Sequence, residues 1–148
     1  MILIVQQREA RLVNEWVWET YPMRKQWKRV RLGPTPDKDF ARMYKVIMRF
    51  ADAIIDDGDV ILIIEAKMRP EPGVISQLEE YEKLFKETPE FSDYWDHRIQ
   101  KVLLTTMEDA SLRVTCEEHQ VKYVIFKRPW VDDYLRMRFR VGEDVAVP

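Results

Sequence analysis

Residues 49–70 read RFADAIIDDGDVILIIEAKMRP, and the reading of this stretch decides the fold. Val60-Ile61-Leu62-Ile63-Ile64 is apolar on both faces of a strand, as expected where a sheet is covered on both sides. Met48 to Ile55 reads as a second strand, and Asp56-Asp57-Gly58 as the tight turn between the two, a hairpin signal. The apolar strand, spanning Asp59 to Lys67, ends in Glu65 and Lys67. Two residues apart, these side chains leave on the same face. An ion pair at a strand end would explain them if they stood alone.

Working outward, a first helix is expected from Ile2 to Tyr21, closed by Pro22. At about 100° per residue, Ile2, Val5, Leu12, Val13 and Trp16 share one face. A strand follows at Gln26–Leu32, then the breaker Gly33-Pro34-Thr35-Pro36 and a short helix from Asp37 to Ile47. Beyond the hairpin, helices are expected at Val74–Glu87 and Asp109–His119, and strands at Ile99–Thr105 and Val121–Phe126. Tyr134–Val141 alternates Leu135, Met137 and Phe139 with Arg136, Arg138 and Arg140, and reads as a half-buried strand. The order gives an α/β sandwich around a mixed sheet.

The 148 residues suit one domain spanning 1–148, with enough chain to bury a core. Apolar residues make up 46% and charged residues 34%, a globular profile and not a disordered one. The longest apolar run is five residues, which predicts no membrane span, and MILIVQQREA does not read as a secretory signal. Cys116 is the single cysteine, so no internal disulfide or Cys/His zinc site is expected. A cytoplasmic location fits these features. Net charge is −2, without a global pull toward nucleic acid. Basic residues nevertheless cluster at Arg24, Lys25, Lys28, Arg29 and Arg31, and again at Arg136, Arg138 and Arg140. Each cluster is a solvated face or a row of phosphate contacts, and phosphate contact is favoured for both.

Polar residues interrupt the core pattern in several elements. Glu9 lies on the apolar stripe of the first helix, where an unpaired carboxylate costs several kcal/mol. Gln77 lies on the apolar face of the Val74 helix, one turn before Tyr81, and needs a partner there. A partner nearby and a satisfied core amide are the structural readings of these two. Asp52 sits across the hairpin from positions 63 to 65. Glu9, Asp52, Glu65, Lys67 and Gln77 are thus directed into one region from four elements. Oxygen donors without His or Cys suit Mg²⁺ or Mn²⁺ better than zinc.

This pattern resembles the PD-(D/E)XK nuclease superfamily, in which an acidic residue on a hairpin precedes Glu/Asp-X-Lys at the end of the next strand. Here the pieces are Ala51-Asp52 and Glu65-Ala66-Lys67, with twelve residues between Asp52 and Glu65. Gln77-Leu78-Glu79-Glu80-Tyr81 resembles the Gln-X-X-X-Tyr element of the RecB-like branch, and Glu9 matches the Glu frequent in the first helix. Ala51 stands in place of the name-giving Pro, and the four cysteines that hold an iron–sulfur centre in some RecB-like nucleases are missing. The chain is also similar in size to archaeal Holliday-junction resolvases and virus-encoded nucleases, which extends the expected setting to an infected cell.

The resemblance implies a three-layer restriction-endonuclease-like core, a mixed central β-sheet flanked by helices. It also implies Mg²⁺- or Mn²⁺-dependent hydrolysis of DNA phosphodiester bonds. Asp52, Glu65 and the backbone carbonyl of Ala66 would hold the metal, with Glu9 as an added ligand, and Lys67 would assist the attacking water. Gln77 would orient Lys67 or a phosphate, and Tyr81 would support Gln77 or contact DNA. The alternative is a nuclease-fold module that binds nucleic acid or assembles complexes without cleaving. Duplex, single-strand, flap and junction substrates stay open, as do endonuclease and exonuclease action; junction resolution would call for a homodimer.

Overall fold

The computed structural model describes residues 2–34 and 49–146, with side chains over 4–34 and 49–138. The helix expected at Asp37–Ile47 lies outside the described residues. The chain runs α1 (Ile2–Thr20), β1 (Lys25–Leu32), β2 (Arg49–Asp56), β3 (Val60–Lys67), α2 (Gly73–Phe85), a 3₁₀ turn (Pro89–Tyr94), β4 (Arg98–Thr105), α3 (Ala110–Glu118), β5 (Val121–Ile125) and α4 (Pro129–Ala146). The strands form one sheet in the order β1-β2-β3-β4-β5. β1, β2 and β3 pair antiparallel, whereas β3-β4 and β4-β5 are parallel. The parallel pairs follow from the helical crossovers α2 and α3 that join them.

The hairpin forms where its sequence predicts. Gly58 takes φ of 81°, its N–H donates to Asp56 Oδ1 at 3.1 Å, and Asp57 N–H donates to Val60 O at 2.9 Å. β3 is buried along its whole length except Lys67. Ile61 and Ile63 pack on one side with Leu78, Tyr81 and Phe85 of α2 and Leu112 and Cys116 of α3. Leu62 and Ile64 pack on the other with Leu12, Val13, Trp16 and Val17 of α1 and Val131 of α4. Each of these side chains contributes about 1.5–3 kcal/mol by leaving water, which makes the two faces of β3 the centre of the fold. The sandwich expected from the sequence is therefore three layers deep, with α1 and α4 on one side and α2 and α3 on the other.

Two departures from regularity matter. The first is in β1, where Arg29 has φ of 48°, a left-handed conformation that costs a non-glycine residue about 1–2 kcal/mol. Trp27 and Val30, three residues apart, consequently pack against the same core. The second is α4. Tyr134–Val141 is helix and not the half-buried strand expected from its alternation. Pro129 at the first helical position and Asp132 in the first turn start a helix, and Val131, Tyr134 and Leu135 fall on one face at helical spacing. Met137, which a strand would have buried with Leu135, is 68% exposed. Among the described residues, no helix is long and apolar enough to cross a membrane.

Candidate active site

β2 and β3 part company halfway along. Their pairing runs from Asp56↔Ile61 to Ala53↔Ile64 and stops, although the strands continue to Arg49 and Lys67. At the fork the β3 backbone groups on the β2 side must find other partners, because a buried N–H without one is costly. Carboxylates supply them. Asp52 Oδ2 accepts from Ala66 N–H at 2.7 Å, and Glu9 Oε2, reaching over from α1, accepts from Met68 N–H at 3.0 Å. Each carboxylate spends one oxygen on the end of β3 and keeps the other outside that bond.

Glu65, which feels the charge of both, is only 5% exposed, and its Oε1 is buried with no hydrogen-bond partner. Its Oε2 is 3.9 Å from Lys67 Nζ. Burial first, and then the neighbouring Asp52 carboxylate, push the Glu65 carboxyl up to about 9, against the pull of Lys67. Glu9 is raised as well, chiefly by burial, with the Met68 N–H opposing. Three carboxyl groups thus gather beside the Lys67 ammonium.

α2 closes one side. Gln77 Nε2 donates to Tyr81 Oη at 2.8 Å, and Tyr81 is buried, its hydroxyl raised by burial and then by the charge of Glu65. Glu9, Asp52, Glu65, Lys67, Gln77 and Tyr81 all line one cleft of about 340 Å³. Lys28, Arg29, Asn14 and Phe50 line the same cleft. Asn14 and Phe50 carry no motif that would have singled them out from the sequence, although Asn14 is the only asparagine in the chain.

The remaining basic residues do not converge here. Arg24 pairs with Asp57 at 3.0 Å near the hairpin turn, Lys25 sits over the Trp27 ring, and Arg31 donates to Pro34 O. Arg136 pairs with Asp133 beside a separate hollow. Arg138 donates to Tyr134 Oη and lines a small hollow of about 80 Å³ that shares Glu9 with the main cleft. The Arg140 side chain is outside the described residues. On a helix, residues two apart do not share a face, so Arg136 and Arg138 do not lie in the row expected of them. His97 lies beside Asp96, and His119 beside Glu79, both away from the cleft.

Among the described residues, no three His, Cys, Asp or Glu side chains close around a point as a ready metal cage. The donor chemistry nevertheless fits a hard divalent cation. The buried, unpartnered Glu65 Oε1 beside Asp52 is the oxygen that such an ion would satisfy.

With its mixed five-stranded sheet and helices on both faces, the chain has a restriction-endonuclease-like fold. It is similar to a repair endonuclease from Pyrococcus abyssi, with a TM-score of 0.52, 15% identity and 80% of this chain covered. It is also similar to the structure of an EndoMS–dsDNA2 complex, with a TM-score of 0.50, 14% identity and 82% of this chain covered. The chain spans about half the length of both, 47% and 45% respectively. No family model and no curated protein matches the sequence.

Proposed function

We propose that the protein is a Mg²⁺- or Mn²⁺-dependent nuclease that hydrolyses DNA phosphodiester bonds at the β2-β3 fork. The observation that carries this reading is the buried Glu65, with an unsatisfied oxygen, set beside Asp52 and Lys67 where the hairpin opens. Similarity to a repair endonuclease and to a protein in complex with dsDNA supports DNA as the substrate.

Asp52 and Glu65 would hold the metal with the Ala66 carbonyl, and Glu9 would add a ligand directly or through water. When bound, the ion would supply a lowered pKa for its water and positive charge against that building on the phosphoryl group. Lys67, as an ammonium, orients the water and offsets charge on the phosphoryl oxygens. The water oxygen bonds to phosphorus as one ester P–O bond breaks, and the proton that the water gives up to solvent is balanced by one that the departing oxygen takes from solvent. Gln77, tied to Tyr81, faces the same cleft and positions Lys67 or a phosphate.

A second reading has one observation in its favour. Asp52 and Glu9 already cap backbone N–H groups, so they could serve as structural ties in a module that binds nucleic acid without cutting it. Labelled linear, circular and branched DNA, incubated with Mg²⁺, Mn²⁺ or EDTA, separates the two. Metal-dependent cleavage that is lost in both Asp52→Ala and Lys67→Ala is the expected result. No cleavage of any substrate, with binding unchanged in both variants, would select the module.

A further inference from the structure

The kink in β1 stands directly across from Asp52. Lys28 pairs with Ala53 and Val30 with Ala51, which leaves Arg29 facing Asp52 at the one position the ladder skips. On a regular strand Lys28 and Arg29 would point to opposite faces. The left-handed turn at Arg29 undoes this, so Trp27 and Val30 both pack inward and two consecutive cations both line the cleft. Strain of this kind on a non-glycine residue persists only where the surroundings enforce it, and it points toward use.

Both cations are held in place without being neutralised. Lys28 Nζ donates to Asn14 Oδ1 at 3.1 Å, a neutral partner on α1. The Arg29 guanidinium lies 5.2 Å from the centre of the Phe50 ring, which is 36% exposed. Among the described residues neither forms an ion pair, whereas Arg24, on the same segment, pairs with Asp57.

We propose that this kink is a clamp for a backbone phosphate of the substrate: Lys28, positioned by Asn14, and Arg29, resting on Phe50, bind the phosphate adjacent to the one at Lys67. The clamp rests on the nuclease reading for its place in the reaction, but it can be measured without cleavage.

The test is binding of a short labelled DNA in EDTA across a series of NaCl concentrations. Lys28→Ala and Arg29→Gly should each weaken binding about five-fold and lower the slope of log affinity against log salt by about one. Glycine adopts the left-handed conformation without strain, so the Tm of Arg29→Gly should hold or rise, and its weaker binding cannot be put down to unfolding. Asn14→Asp, which would trap Lys28 in an ion pair, should weaken binding more than Asn14→Ala, with Tm unchanged. Affinity and salt slope equal to wild type in both Lys28→Ala and Arg29→Gly, or no DNA binding by the wild-type protein, would overturn the clamp. A wild-type protein that binds with this Lys28- and Arg29-dependent slope but never cleaves would leave the clamp standing and remove the nuclease reading.

Discussion

The two ends of β3 are made of the same strand and held by different chemistry. At the turn end, Ile61 to Ile64 pair backbone to backbone with β2 and bury their side chains on both faces. At the fork end, the N–H groups of Ala66 and Met68 are held by the carboxylates of Asp52 and Glu9, and the side chains that line the cleft are Glu65 and Lys67. The first end supplies stability. The second gives up ladder hydrogen bonds and apolar burial to gather charge in a cleft, which the buried half of the same strand holds in place.

The comparison is broken most severely at the closed end. Ile63 is fully buried, and Ile63→Ala should cost about 2–5 kcal/mol, on the order of 10 °C in Tm for a chain of this size. Urea or thermal unfolding followed by circular dichroism measures it; a loss under 1 kcal/mol would mean that β3 is not the centre of the fold. Any change in cleavage should then follow the folded fraction alone.

The open end should behave in the opposite way. Asp52→Asn keeps an oxygen to accept from Ala66 N–H but removes the charge, so Tm should move little while metal-dependent cleavage falls by at least about a hundredfold. Comparing initial rates with melting curves of the same preparation decides it. Stability and cleavage lost in proportion would make Asp52 a strand tie and nothing more.

The sequence exposed these two ends to different degrees. The closed end is legible because five apolar residues in a row before a charged tip fit a covered strand, and Asp-Asp-Gly marks the turn. Glu9 and Gln77 stood out as polar residues on apolar faces and Asp52 by its place across the hairpin from positions 63 to 65, and all three line the cleft. Other features left no trace. A left-handed residue that is arginine carries no local signal, so the kink at Arg29 could not be read, and neither could the link from Lys28 to Asn14 across fourteen positions. In α4 the signals conflicted. Leu135 and Phe139 are spaced alike for a strand of period two and for a helix at i and i+4, and Met137 between them tipped the pattern toward a strand. Pro129 and Asp132, just upstream, were the signal that would have decided for a helix.

The smallest expected effect sharpens the contrast most, because at the open end a substitution should add stability. Glu65 has its carboxyl raised from 4.5 to about 9 by burial and by Asp52, so the folded protein holds this proton where the unfolded chain has released it. The stabilisation that comes from a protonated Glu65 is fully present below pH 4.5 and is lost progressively as pH rises toward 9. Glu65→Gln cannot ionise and should escape that loss. In EDTA at pH 8 the variant should melt higher than wild type by a few degrees, on the order of 1 kcal/mol, and near pH 4.5 the two should converge. Adding Mg²⁺ at pH 8 should raise the wild-type Tm and close the gap, since a cation satisfies the ionised carboxylate that the variant lacks. A variant less stable than wild type at pH 8 in EDTA would mean that Glu65 is already paired in the folded chain, and that the open end, like the closed one, is built for stability first.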